Sequence, residues 1–284
     1  MEKSKIRIFR DAQKKKIAIG QFNFSDISQF KAILSAAKKT KKTFIFGTSE
    51  SESKFLTPSL AVKLRDIAEK ELGFPVILNL DHGKSFSYIK KAIEAGYDMV
   101  HFDGSSFSLK TNIKKTKEVV IYAKKKGVII EGELGYLRGG SFLHKDYAKI
   151  KKEDLTSPEE ADFFVRETKV DGLAVVIGNI HGVWAKMPHL DLDRLNMIKN
   201  KVGARAFLVL HGGSGISKKS IKKAIQKGIR KININTEIRI AWRKGLEKTL
   251  NENKKEVIPY KLFPTISKEI EKVVLEKINL FNNS

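Results

Sequence analysis

Short hydrophobic runs alternate with longer segments of helical periodicity along most of the chain, and the alternation repeats eight times. Runs of this length, bounded by turn-forming residues, are typical of buried parallel strands. The predicted strands lie at 17–22, 43–47, 76–80, 99–102, 128–132, 173–177, 206–210 and 231–234. The predicted helices lie at 25–39, 58–72, 86–95, 113–126, 157–168, 190–200 and 218–227.

Repeated strand–helix units predict a parallel sheet covered by helices, and eight units predict closure into a single (β/α)8 barrel. No shift in composition marks a second domain, so residues 1–284 are expected to form one barrel domain. A further amphipathic helix is predicted around 268–280, within a C-terminal extension at about 259–284. The pattern leaves open whether this helix packs on the barrel or on a partner subunit.

Composition narrows the classes of function. The 284 residues include no cysteine, which excludes disulfides, thiolate metal ligands and thiol nucleophiles. A net charge of +23 is compatible with nucleic-acid binding. The lysine runs are scattered over predicted helix ends, however, which favours a solvated surface that attracts anionic substrates. We expect a cytoplasmic protein, because neither a signal-like N-terminus nor a membrane-spanning run is present.

Polar residues follow nearly every predicted strand. In a barrel of this kind the active site lies at the C-terminal ends of the strands, so this placement is expected of an enzyme. The strand-end residues are Asn23, Ser49, Asp81, His82, the Asp103-Gly104-Ser105 segment, Glu133, His181, Gly182, His211 and 233–236.

Three of these strand ends carry a His-Gly pair, at His82, His181 and His211. Three imidazoles from three strands would hold a catalytic zinc with one position open for substrate. His101, His144 and His189 lack the following glycine, and we interpret them as non-ligands. Among these, His101 shares strand parity with Asp103 and could face the barrel interior.

Acidic residues complement the histidines. Asp81 and His82 would face opposite sides of a regular strand, so the backbone must leave strand geometry there, which we attribute to Gly83. Asp81 could then reach a substrate hydroxyl. Glu131 and Glu133 share one strand face, and Glu133 could meet a metal or orient an imidazole. A buried carboxylate paired with Lys or Arg is the alternative for both.

A phosphate site is predicted from two segments. His211-Gly212-Gly213-Ser214-Gly215 and Asn233-Ile234-Asn235-Thr236 each follow one of the last two strands and open a helix. Backbone N–H groups and helix N-termini converge on anions at this place in such barrels.

Six segments in order resemble the class II, zinc-dependent fructose-bisphosphate and tagatose-bisphosphate aldolases, from about residue 17 to residue 250. They are 78–83 (LNLDHG), 103–105 (DGS), 131–135 (EGELG), 178–182 (GNIHG), 208–215 (LVLHGGSG) and 231–236 (KININT). The resemblance implies that His82, His181 and His211 bind Zn2+ and that Asp81 exchanges a proton with the C4 oxygen of the sugar. It places Asp103 and Glu133 at alternative or second-metal positions.

The resemblance also implies a set of substrate-binding positions, with a monovalent cation nearby. These are Ser49, Gly182, Gly212, Ser214, Asn233, Asn235 and Thr236. Ser49 matches a phosphate-contacting serine, although Glu50-Ser51-Glu52 departs from the small, glycine-containing pattern that usually follows it. The expected partner is a phosphorylated sugar, in a homodimer or higher homo-oligomer, with no membrane and no specific nucleic acid.

The implied reaction is reversible cleavage of fructose 1,6-bisphosphate into dihydroxyacetone phosphate and glyceraldehyde 3-phosphate, with zinc as the Lewis acid. Tagatose 1,6-bisphosphate or a related ketose phosphate is the nearest alternative, and a basic nucleic-acid-binding barrel is a distant one. A Schiff-base mechanism is disfavoured, because the sixth predicted strand has no lysine.

One departure from the family concerns the acid that protonates the carbanion. Relatives carry it on a mobile loop after the ELG segment, whereas here Gly139-Gly140 is followed by Ser141-Phe142-Leu143-His144-Lys145-Asp146. We assign this role first to Asp146 and second to Glu153. Another group, or water, is the alternative.

Overall fold

The computed structural model describes residues 5–147 and 149–283 and contains a closed barrel of eight parallel strands. Around the barrel each strand lies beside its neighbours in the sequence, and the first strand pairs with the last to close the barrel. The predicted (β/α)8 architecture is confirmed. The barrel strands are β1 (Ile19–Asn23), β2 (Ile45–Ser49), β3 (Ile77–Gly83), β4 (Met99–Phe102), β5 (Ile129–Leu134), β7 (Gly172–Val175), β9 (Phe207–Leu210) and β10 (Ile229–Ile234).

Helices surround the barrel, and their polar ends follow ordinary capping chemistry. Seven helices are preceded by a residue whose side chain accepts a hydrogen bond from a backbone N–H in the first turn of the helix. These capping residues are Asp26, Thr57, Ser85, Ser108, Ser157, Asp191 and Ser217. The helices are α2 (Ile27–Thr40), α3 (Glu50–Leu56), α4 (Pro58–Leu72), α5 (Phe86–Ala95), α6 (Leu109–Lys125), α7 (Pro158–Thr168), α8 (Leu192–Val202), α9 (Lys218–Gln226) and α10 (Thr236–Glu252).

Several elements differ from the sequence-based prediction. The limits of β4 match the prediction, those of the other barrel strands differ by up to three residues, and α6 begins four residues earlier than predicted. Helix α1 (Arg7–Lys15), the short helix α3 and the two-stranded parallel sheet of β6 (Leu143–Tyr147) and β8 (Val183–Lys186) were not predicted. Strand β6 is mostly exposed and polar, so it lacks the buried alternating pattern from which strands are identified.

The two ends of the barrel are closed differently. At the N-terminal end, Phe9 of α1 stacks on Phe207 with ring centroids 3.9 Å apart. At the other end, the small β6–β8 sheet, which we call the lid sheet, lies beside the strand ends. The polar strand-end side chains are therefore grouped at the end of the barrel that faces the lid sheet.

The C-terminal helix α11 (Pro259–Asn282) packs on the barrel of its own chain. Its residues Ile270, Val274 and Phe281 are fully buried, and it contacts α10 and α2. Its Lys277 pairs with Glu237 of α10 at 2.7 Å. The packing question that the sequence left open is thus answered for this helix. Within the described residues no helix is both long and apolar enough to span a membrane.

Candidate active site

The backbone of β3 is distorted at His82. The register between β3 and β4 slips between Leu80 and Gly83, and His82 adopts a left-handed conformation with φ of 51°. Gly83, to which the sequence-based prediction attributes this distortion, does not itself adopt a positive φ, so it allows the distortion by lacking a Cβ and not by its backbone freedom. A Cβ at position 83 would lie 2.7 Å from Ile89 Cγ1 and 3.0 Å from the His101 carbonyl oxygen, so glycine is needed there for space. The bulge lets Asp81 and His82 point to the same cavity.

The three predicted metal ligands converge at this end of the barrel. His82 Nε2 lies 3.2 Å from His181 Nε2, and the His82 and His211 rings lie 4.6 Å apart. His211 Nε2 lies 2.6 Å from Glu131 Oε1. A neutral His211 that donates its Nε2 proton to Glu131, as carboxylate–histidine pairs do at metal sites, has Nδ1 as its acceptor. Asn233 Nδ2 donates to that Nδ1 at 3.2 Å, and Asp81 Oδ1 lies 3.7 Å from it.

Two acids lie on the other side of the His82 ring. His82 Nδ1 is 3.1 Å from Asp103 Oδ2 and 3.6 Å from Glu133 Oε2. Glu133 is buried, and Oε2 also faces His101 Nε2 at 3.0 Å. The two predicted alternative ligands are therefore next to the histidine cluster.

Burial and nearby charges shift the pKa values of the three histidines in different directions. Burial opposes a charge on His82, but Asp81, Asp103 and Glu133 raise the pKa of this imidazole to about 10. Burial and the charge of His82 lower the pKa of His181 to about 3 and hold that of His211 well below its ordinary value. Two imidazoles are thus neutral at pH 7, and the third carries a proton that a metal would displace.

Asp81 is placed for proton transfer beside the histidines. Asn23 Nδ2 donates to Asp81 Oδ2 at 3.0 Å, and Asn233 Nδ2 donates to Oδ1 at 2.9 Å. Burial alone would raise the pKa of Asp81, but the charges of His82 and Lys231 hold it well below its usual range. Asp81 is therefore a carboxylate whose two oxygens are fixed by amide donors.

The donor set fits a divalent metal. Ligand-capable atoms of Asp81, His82, His101 and His211 all lie within 4.8 Å of one another, as do those of His82, Asp103 and Glu133. His181 stands outside both groups but faces His82 directly. Imidazole and carboxylate donors without a thiolate suit zinc and other first-row divalent ions.

A cavity connects this cluster to the predicted phosphate-binding segments. Its lining is Ser49, Asp81, His82, Ser141, His181, Gly182, His211, Gly212, Ser214, Asn233, Asn235, Thr236 and Arg239. All seven predicted substrate-binding residues are included. Helix α10 begins at Thr236 without a side-chain cap, so its positive end opens toward the cavity. Ser214 Oγ accepts from the Glu237 N–H at 3.2 Å and closes part of that first turn.

Two residues that line or support the cavity, Arg239 and Glu52, were missed from the sequence. Arg239 donates from Nη2 to Glu52 Oε1 at 2.6 Å and from Nη1 to the Ser141 carbonyl at 3.1 Å. Glu52 caps α3 together with Ser49. Two signals were available: the Ser49-x-x-Glu52 spacing of a capping box, and the placement of Arg239 one turn after Thr236.

A buried ion pair supports the cluster from inside the barrel. Lys231 Nζ lies 2.9 Å from Glu131 Oε2 and donates to Asn233 Oδ1 at 2.8 Å. Both charged side chains are fully buried. Glu131 thus has the Lys partner that the sequence left as an alternative, and it also orients His211. Lys231 does not line the cavity.

The predicted loop acids lie on the lid side, outside the cavity lining. Asp146 is exposed on β6, and Glu153 is exposed and pairs with Lys151 at 3.3 Å. The lid sheet nevertheless contacts a predicted ligand, because Trp184 Nε1 of β8 donates to the His181 carbonyl at 2.8 Å. The His181 N–H donates to the Arg138 carbonyl at 2.8 Å. The backbone of His181 is therefore held by the lid sheet through Trp184 and by the segment before the lid sheet through Arg138.

Comparisons with known proteins agree with this geometry. Residues 3–284 match the sequence profile of the family described as fructose-bisphosphate aldolase class-II. The chain is 37% identical to the 6-phospho-5-dehydro-2-deoxy-D-gluconate aldolase of Shouchella clausii (strain KSM-K16), over 96% of this chain and 92% of that protein. It is 35% identical to the fructose-bisphosphate aldolase of Staphylococcus aureus (strain Mu50 / ATCC 700699), over 96% and 95% of the two chains. The crystal structure of the YdjI aldolase from Escherichia coli K12 superposes with a TM-score of 0.82 at 30% identity, covering 97% and 95% of the chains.

Proposed function

Because the chain belongs to the class II fructose-bisphosphate aldolase family, we propose that it cleaves fructose 1,6-bisphosphate reversibly with a zinc ion held by His82, His181 and His211. The products are dihydroxyacetone phosphate and glyceraldehyde 3-phosphate. The observation that carries this proposal is the convergence of three imidazoles around the Asp81 carboxylate, in a cavity that also contains the phosphate-binding segments.

The chain's own residues divide the work of the reaction. When bound, the divalent ion supplies Lewis-acid polarisation of the ketone oxygen. Asp81 accepts the proton of the C4 hydroxyl as the C3–C4 bond breaks, and its lowered pKa keeps it ready as a base. Asn23 and Asn233 hold its two oxygens in place. The Gly212–Gly215 and Asn233–Thr236 segments hold the phosphate of the dihydroxyacetone half and so orient the bond that breaks.

The identity of the aldehyde half is the finer part of the proposal. A second candidate is 6-phospho-5-dehydro-2-deoxygluconate, on which the Shouchella relative acts by its name. Cleavage of that sugar releases the same ketone half, but the aldehyde half carries a carboxylate instead of a phosphate. The Arg239 guanidinium in the cavity lining can pair with either anion. Tagatose 1,6-bisphosphate differs from the fructose substrate only in C4 stereochemistry and is a third candidate.

The test compares initial cleavage rates on these three sugars with one assay for released dihydroxyacetone phosphate. We expect the highest kcat/KM on fructose 1,6-bisphosphate. A higher value on either other sugar would reassign the substrate within the family. If the zinc-loaded protein cleaves none of the three sugars, the proposal is overturned.

A further inference from the structure

We propose that His101 is a positioning residue of the metal centre, which holds the His82 backbone in its distorted conformation and faces the Glu133 carboxylate. This inference rests on the proposed metal site at His82, His181 and His211. It adds a fourth histidine that supports the ligands without binding the ion.

The bulge in β3 leaves the His82 N–H outside the strand ladder, and His101 supplies the acceptor for this N–H. Between Leu80 and Gly83 the β3–β4 register slips, which takes the His82 N–H out of the regular ladder. That N–H donates to His101 Nδ1 at 3.1 Å. A left-handed conformation is disfavoured for a residue with a side chain, so the surrounding contacts must hold it. The imidazole of His101 is the acceptor that does so.

The same contact fixes the tautomer of His101. A ring whose Nδ1 accepts a hydrogen bond carries its proton on Nε2 when neutral. His101 Nε2 lies 3.0 Å from Glu133 Oε2 in an ion-pair contact, and among the described residues neither atom makes a hydrogen bond. Glu133 Oε2 in turn lies 3.6 Å from His82 Nδ1. The His101 ring therefore contacts the backbone N–H of His82, and it also lies next to Glu133, the acid on the far side of the His82 ring.

The packing leaves His101 little freedom to do anything else. Its side chain is fully buried, and its ring lies 4.7 Å from the rings of both His82 and His211. To bind an ion through Nδ1, the ring would have to give up the His82 N–H. We therefore assign His101 to orientation of the ligands, as hydrogen-bond partners of ligands do at other metal sites.

The experiment measures Zn2+ affinity by competition with a chromogenic chelator, together with the visible spectrum of the Co2+-loaded protein. His101→Leu removes both polar contacts and is expected to weaken Zn2+ binding about 10- to 100-fold. His101→Asn keeps an acceptor near the Nδ1 position, so we expect most of the affinity and the wild-type Co2+ spectrum to return. His101→Gln keeps only the reach toward Glu133 and is expected to bind more weakly than the Asn variant.

Met99→Leu is the matched control, because Met99 lies two residues earlier on the same face of β4 and is equally buried. We expect its Zn2+ affinity to equal that of the wild type. Wild-type affinity in the Leu variant would overturn the assignment, as would equal losses in the Asn and Leu variants, which indicate direct ligation. If the Leu variant does not fold, the comparison of Asn with Gln decides. Wild-type protein that binds no Zn2+ would instead contradict the proposed function.

Discussion

At the scale of single residues, burial and nearby charges determine which side chains of the site are protonated at neutral pH. His82 lies among three carboxylates, whereas His181 and His211 are buried and repelled by His82. The same field keeps Asp81 ionised. In the metal-free protein at neutral pH, His82 is therefore protonated, whereas the nearby Asp81 is a carboxylate.

Metal binding should therefore release a proton at neutral pH. The raised pKa of His82, about 10, means that the metal-free imidazole is protonated at pH 7 and must lose one proton to become a ligand. Calorimetric titration with Zn2+ in buffers of different ionisation enthalpy should show about one proton released per ion, and apparent affinity should rise with pH up to about 10. Binding without proton release at pH 7 would contradict this assignment.

Asp81→Asn should separate catalysis from metal binding. Asparagine keeps the size of the side chain but cannot accept the C4 proton, so kcat should fall about 10²–10⁴-fold. Zinc content, measured by atomic absorption, should stay at the wild-type value. A variant that loses zinc in proportion to its activity would show that Asp81 serves the metal instead.

At the scale of elements, the cavity is built from the ends of β2, β3, β7, β9 and β10 and from the start of α10. The order of these strands in the barrel brings segments far apart in the sequence to one cavity. The lid sheet contacts this cavity through the Trp184–His181 hydrogen bond, and Ser141, two residues before β6, accepts a hydrogen bond from Arg239.

The phosphate-binding segments can be tested with a control from the neighbouring helix. Ser214→Ala and Thr236→Val should weaken binding of dihydroxyacetone phosphate, measured by calorimetry, while zinc content stays the same. Ser217→Ala removes the cap of α9 outside the cavity, so it should lower stability by about 1 kcal/mol without changing that affinity. Unchanged affinity in both cavity variants would place the phosphate elsewhere.

The lid raises the question of which group protonates the carbanion. Asp146 and Glu153 are exposed here, so either must approach by lid closure to act. We expect Asp146→Ala to slow proton exchange at C3 of dihydroxyacetone phosphate, followed by NMR in D2O, and Glu153→Gln to slow it less. Normal exchange rates in both variants would remove the loop acids from the account and leave the aldolase proposal standing.

At the scale of the whole molecule, the repeat of eight strand–helix units was enough to predict the barrel. The residues at its strand ends predicted the lining of the cavity. The sequence could not show features that depend on contacts between distant strands, such as the Glu131–Lys231 pair and the His101 contact to His82. It also could not show the lid sheet, whose pairing joins two exposed segments about forty residues apart.

Charge at this scale is spread over the surface. The lysine runs at 14–16, 38–42 and 124–126 lie at the ends of α1, α2 and α6; the last two of these helices were predicted from the sequence and α1 was not. The separation of these runs over three helices favours a surface that attracts anionic substrates. The expected homo-oligomer stays a prediction, which light scattering of the purified protein can check.

The most direct test of the central claim is the rate of fructose 1,6-bisphosphate cleavage by one preparation before chelation, after chelation and after readdition of Zn2+. We predict loss of cleavage in the metal-free protein and recovery at about one Zn2+ per chain. Borohydride with dihydroxyacetone phosphate should leave the enzyme active, because Lys231 is held in an ion pair away from the cavity. Full cleavage by the metal-free chain would contradict the account.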